Sequence, residues 1–133
     1  MTTDPETASG RAEPVERALR AYTQERLNCA QSVLRGFQHD RALPEEQIVQ
    51  AKPLGGGRAE QGRCGALHIA LTLAQSDEVR QTLAAAFAEQ AGSQQCREIR
   101  TAKRLACVQC VELAATLLVQ HEGRLRQEGV VTQ

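Results

Sequence analysis

At 133 residues the chain has the length of one domain, and its 16 Lys plus Arg equal its 16 Asp plus Glu, which removes any electrostatic reason to expect nucleic acid or an anionic membrane as partner. Aromatic residues make up 2% and Trp is absent, so the core must be built from Leu, Val, Ile and Ala, which suits closely packed helices better than a β-sandwich. Five cysteines are too few for a disulfide scaffold, and in a reducing compartment such thiols serve more often as metal ligands or redox groups.

Residues 1–12 read as a disordered polar tail without the basic start and apolar run of a secretory signal. No stretch approaches the roughly 20 apolar residues that span a bilayer. The expected compartment is the cytoplasm. Residues 13–128 are expected to form the helical, cysteine-containing domain, with 129–133 a second tail.

Pro14 suits the first turn of a helix, and Val15, Leu19 and Tyr22 follow on one face. Asn28 is a strong N-cap, so a second helix is expected with Cys29 at its first position and Ala30, Val33, Leu34 and Phe37 facing inward. The alternative is one long helix through residue 38, with Cys29 in its interior. Pro44, Glu45 and Glu46 announce a short third helix that must end before Pro53. The triple glycine Gly55-Gly56-Gly57 then predicts a tight loop into a helix over about 62–74, which carries Cys64, Leu67, His68 and Leu71. No Gly-Lys-Ser/Thr follows, so this is not a phosphate-binding loop.

Cys64 would lie in the first turn, where unpaired backbone N–H groups and the helix dipole favour a thiolate. Ser76 caps the next helix and Gly92 ends it; Ser93 is placed to cap a short turn holding Cys96. The last helix is expected to start near Thr101 or Ala102 and to end between Glu122 and Gln127. Its polar stripe is Gln109, Glu112, Thr116 and Gln120. At roughly 100° per residue, Cys107, Val111, Ala114 and Leu118 lie opposite, with Cys110 toward the edge of that face. The pattern contains no defensible strand and predicts an all-α compact bundle of about five or six helices. His39 and His121 read as surface residues.

Asn28-Cys29-Ala30-Gln31-Ser32-Val33-Leu34 resembles the opening signature of a bacterial family described as redox-active proteins and known by its C…GCAxxG…C…C pattern. Gly55-Gly56-Gly57 with Cys64-Gly65-Ala66 resembles the central signature, Cys96-Arg97-Glu98-Ile99 the third element, and Cys107 with Val111 and Ala114-Ala115 the last. The likeness extends over about residues 15 to 120. It implies that Cys29, Cys64, Cys96 and Cys107 are four functional cysteines. Two departures stand out. His68-Ile69 replaces the small residue or glycine that follows the family's central cysteine, and Cys110 is an addition.

Four gathered thiols cannot all ionise in an apolar core, because each uncompensated charge is costly there. They must be protonated, joined as disulfides or bound to a metal. Arg63 and Arg97 adjoin Cys64 and Cys96 and are candidates to offset charge. Three readings follow. In the first, the four cysteines cycle between dithiol and disulfide as a redox protein or thiol-dependent oxidoreductase, with Cys64 the expected attacking thiolate and an unidentified redox partner. In the second, the same cysteines, with His68 four residues after Cys64, hold a metal ion or an iron–sulfur cluster, although two close ligand pairs, the usual structural-zinc spacing, are missing. In the third, the cysteines only pack a helical interaction protein. Cys107-x-x-Cys110 falls within a helix and so lacks the strand-to-helix setting of a thioredoxin motif.

Overall fold

The computed structural model describes residues 12–55 and 59–132. Seven α-helices lie among the described residues, against the five or six expected: α1 Glu13–Thr23, α2 Cys29–Arg41, α3 Glu45–Gln50, α4 Gly65–Leu73, α5 Asp77–Ala91, α6 Cys96–Ala102 and α7 Cys107–Thr132. Two short 3₁₀ turns, Lys52–Leu54 and Glu60–Gly62, flank the glycine loop. The fold is all-α, and a lone antiparallel bridge between Arg63 and Gln95 is the only β pairing among the described residues. None of the described helices is long and apolar enough to cross a membrane. Most of the expected N-terminal tail, residues 1–11, lies outside the described residues, as do positions 56–58 of the glycine loop and Gln133.

Local chemistry sets most helix ends. Pro14 occupies the first turn of α1. Asn28 caps α2 with a full capping box: its side chain accepts from Gln31 N at 2.9 Å, and Gln31 Oε1 accepts from Asn28 N at 3.2 Å. α1 and α2 are therefore separate helices, and the single long helix is overturned. Ser76 caps α5 through Val79 N, and Gly92, at φ 94°, closes it. Ser93 does not cap α6; its hydroxyl accepts from Gln95 N and donates to Glu98, while Gln95 is the residue that precedes the helix.

The start of α7 differs from expectation. Lys103 adopts the left-handed conformation at φ 58° and ends α6. The chain re-enters helix only at Cys107, where Gln109 Oε1 accepts from Ala106 N at 2.7 Å. Cys107 is thus a helix start, not the centre of a buried stripe. At its other end α7 continues through Thr132.

Small residues let the helices approach closely. A β-carbon on Gly36 would come within 2.5 Å of Pro14 O and 2.8 Å of Ala18 Cβ, so α1 crosses α2 where neither has bulk. In the core Leu34, Leu67, Leu83, Phe87 and Leu118 are fully buried. The helices α2, α4 and α7 share this core, and their first residues lie at one end of it.

Candidate functional site

That end is where the thiols collect. Cys29 opens α2, held by the Asn28 cap, and Asn28 Nδ2 also donates to Lys52 O at 2.8 Å, tying the following 3₁₀ turn to the same corner. Cys64 is the residue just before α4, and its carbonyl accepts the first helical bond from His68 N. The glycine after it is obligatory for packing. A β-carbon on Gly65 would lie 2.8 Å from Cys29 Sγ and 2.9 Å from Leu54 O, so only glycine lets α4 start against the Cys29 sulfur.

A short backbone clamp then fixes the third cysteine. Cys64 N donates to Gln94 O at 2.8 Å, Arg63 bridges Gln95, and Gln95 Nε2 donates to Gln61 O at 3.2 Å. Cys96 follows immediately as the first residue of α6, with Arg100 one turn later on the same face. Cys107 opens α7, and Cys110 lies one turn further in.

All five cysteines line one cavity of about 650 Å³, together with Tyr22, Arg100, Lys103 and Arg104. All five are free thiols. Cys29, Cys64, Cys96 and Cys110 are buried, at 9%, 4%, 8% and 3% exposure, whereas Cys107 is half-buried. The expected order of the last two is therefore reversed: Cys110 is the deep thiol and Cys107 faces the opening. Cys107 stands in the first turn of α7 beside the cavity, and Cys110 lies one turn further in, level with the core.

Sulfur-to-sulfur hydrogen bonds set the electrostatics. Cys64 gives its proton to Cys110 and receives one from Cys29; with burial acting in the same sense as the first bond, its pKa is pushed up to about 12. The bond from Cys64 draws Cys110 downward against its own burial. The upward direction for Cys64 runs against the thiolate expected at this helix start. A helix start offers an anion at most about 2 kcal/mol, and in this case burial and the bond to Cys110 outweigh it. Burial raises Cys96 against the opposing charge of Arg100. Tyr22 is also raised, first by burial and then by Cys107, to which its hydroxyl is hydrogen-bonded; the Arg100 guanidinium bonds the same sulfur.

Other expected participants lie elsewhere. His68 is half-buried on α4 and does not line the cavity. Arg63 belongs to a separate surface recess with Gln61 and Gln95, and Arg97 is exposed away from the thiols. The cations that do approach are Arg100, Lys103 and Arg104. The four-residue step from Cys96 to Arg100 carried that signal; nothing in the sequence singled out Tyr22. Among the described residues, no three His, Cys, Asp or Glu side chains are disposed to hold one metal ion.

A single all-α domain with its thiols drawn to one partly open cavity is built like a protein that works through sulfur chemistry. A family model described as "Putative redox-active protein (C_GCAxxG_C_C)" matches residues 27–121, and the chain belongs to that family. The matched span runs from the α2 cap through most of the described part of α7 and contains all five cysteines. No curated protein and no solved structure matches the chain.

Proposed function

We propose that the protein is a thiol–disulfide redox protein in which Cys29, Cys64, Cys96 and Cys107 cycle between dithiol and disulfide within the domain spanning residues 13–128. The observation that carries this reading is the convergence of all five free thiols on one cavity, with Cys29, Cys64 and Cys110 hydrogen-bonded through sulfur. Exchange begins when a thiolate attacks one sulfur of an acceptor disulfide XS–SX. The acceptor S–S bond breaks, one XS⁻ leaves and takes up a proton, and a mixed disulfide remains. A second cysteine sulfur then attacks that mixed disulfide and releases the other XS⁻. The protein has lost two electrons and two protons, and the acceptor has become two XSH. Cys107 is the natural point of entry, since it alone of the five is more than marginally exposed.

Free thiols of this kind fit a reducing compartment, which supports a cytoplasmic site of action. Two observations count against the metal and iron–sulfur reading: no three His, Cys, Asp or Glu side chains among the described residues are disposed to hold one ion, and its fifth candidate ligand, His68, stands outside the cavity.

The test is a thiol count on anaerobically purified protein equilibrated in dithiothreitol buffers of graded potential, with metal analysis of the same sample. The expected result is a reversible loss of thiols in pairs from the reduced count of five, absent in Cys107→Ser at matched folding. Five thiols that persist across the whole range, or stoichiometric bound metal, would overturn the proposal.

A further inference from the structure

The charge around the cavity says something about what enters it. Arg100, Lys103 and Arg104 all line it, no acidic side chain among the described residues does, and the whole chain is formally neutral. None of the three forms an ion pair with a carboxylate among the described residues; Arg104 donates to the carbonyl of Glu89, and Arg100 turns to the sulfur of Cys107. A formally neutral chain thus places three cations, Arg100 near the end of α6 and Lys103 and Arg104 on the α6–α7 connection, around its thiol cavity with no carboxylate partner among the described residues. Clefts lined by one sign of charge draw in ligands of the opposite sign.

Access adds a second constraint. Four of the five cysteines are at most 9% exposed, so a disulfide lying flat on another protein's surface cannot reach past Cys107 to the buried thiols. A small molecule can, because about 650 Å³ falls within the ordinary size of small-ligand pockets. An inorganic oxyanion would leave most of that space unfilled.

Resting on the thiol–disulfide reading above, we infer that the cavity is a binding site for a low-molecular-weight disulfide bearing carboxylates, held by Arg100, Lys103 and Arg104 with its sulfur–sulfur bond presented to Cys107. The carboxylates pair with the guanidinium and ammonium groups at the rim. Cys107 Sγ displaces one half as a thiolate, which takes up a proton; a second cavity cysteine displaces the other. Two protein thiols are oxidised to one disulfide and two molecules of a carboxylate-bearing thiol leave.

The reduced full-length protein is mixed anaerobically with dithiodiglycolate, hydroxyethyl disulfide or cystamine, which are anionic, neutral and cationic, and with insulin as a protein disulfide. Each rate of thiol loss is divided by that of the uncharged thiol N-acetylcysteine amide with the same reagent, which removes intrinsic differences in reactivity without adding a charge preference of its own. The anionic reagent should exceed the cationic one by about tenfold or more at low salt, with the difference shrinking as salt is added. In Arg100→Gln/Lys103→Gln/Arg104→Gln the ratio of anionic to neutral rates should fall toward one. That ratio is unaffected by any change in the sulfur's own nucleophilicity, so it reports binding rather than loss of the Arg100–Cys107 contact. Equal normalised rates for all three small reagents, an unchanged ratio in the triple variant, or fastest oxidation by insulin would each overturn the inference while leaving the redox reading standing. Failure of all four reagents to remove any thiol would overturn the redox reading itself.

Discussion

The helices α2, α4 and α7 each contribute to two buried polar clusters, one near their starts and one further along, and the two are built on opposite terms. At the far end Arg41, the last residue of α2, pairs with Glu122 of α7 and donates to Leu73 O at the end of α4 at 2.7 Å. Glu122 also accepts from Gln75 N at 2.9 Å, and the Arg41 guanidinium lies 5.6 Å from the centre of the Phe37 ring. One cation meets one anion, an orphan helix-end carbonyl gains a donor, and the Glu122 side chain is 7% exposed. The cluster is closed and electrically balanced. At the near end the polar groups are sulfurs that bond one another, they border a cavity, and three cations line it with no carboxylate among the described residues beside them. One end of the bundle is closed and the other opens on a cavity, where the thiol exchange proposed above would take place.

The sharpest way to break that contrast is to open the closed end. Glu122→Ala leaves Arg41 without its carboxylate and Gln75 N without its acceptor. Removing one partner of a buried pair typically costs 3–5 kcal/mol; the side chain of Arg41 is 19% exposed, so about 3 kcal/mol is expected. Urea unfolding followed by circular dichroism measures this. The rate of thiol oxidation under native conditions should stay close to that of the parent protein, because no cavity-lining group is touched. A Glu122→Ala protein of unchanged stability would mean that the closed end does not lock the bundle.

A second effect belongs to the thiol end alone and depends on pH. The folded Cys64 thiol keeps its proton to about 12, whereas the unfolded chain releases it near 9.0. The raised folded value means that this contribution to stability is fully present below the unfolded pKa. It disappears as pH climbs from about 9 to about 12. The downward shift of Cys110 offsets part of this loss. Unfolding free energies measured across that interval should therefore fall in the parent protein and fall much less in Cys64→Ala. Identical slopes would show that Cys64 is not the proton donor to Cys110.

Gly65→Ala probes how tightly the thiol end is assembled. The new methyl would press on Cys29 Sγ and Leu54 O. Overpacking of this kind costs about 1–3 kcal/mol, more than the gain of at most about 1 kcal/mol in helix propensity. Moving the start of α4 away from Cys29 should also make the buried thiols react faster with an aromatic disulfide reagent. A more stable Gly65→Ala protein with unchanged thiol reactivity would show that the cluster tolerates a looser fit.

How much of this the sequence revealed follows the range of the forces involved. Helix starts at Pro14, Asn28 and Ser76, and the stop at Gly92, were legible because capping is chemistry between near neighbours. The break at Lys103 was not, since no glycine or proline marks it and a lysine holds the left-handed turn. That miss hid Cys107's place at a helix start, beside the cavity instead of within the core. For Cys64 the place at a helix start was readable, whereas its burial and its bond to Cys110 depend on chain segments far apart in sequence. The closed end was invisible beforehand, because nothing local couples Arg41 to Glu122.

The smallest expected effect uses a reporter that the composition provides. The chain has one Tyr and no Trp, so its phenolate absorbance reads Tyr22 alone. That phenol titrates above 10.0, raised first by burial and then by the charge and hydrogen bond of Cys107. Replacing Cys107 by alanine removes the second and third of these causes and leaves the first. The absorbance midpoint should therefore move down while remaining above 10.0. Oxidation of Cys107 in the parent protein removes the same negative charge and should move the midpoint in the same direction. Glu122→Ala should leave it in place at pH values where the protein remains folded, because the closed end lies away from the cavity. A midpoint that ignores Cys107 but follows Glu122 would mean that Tyr22 senses the stability of the bundle and not the state of its thiols.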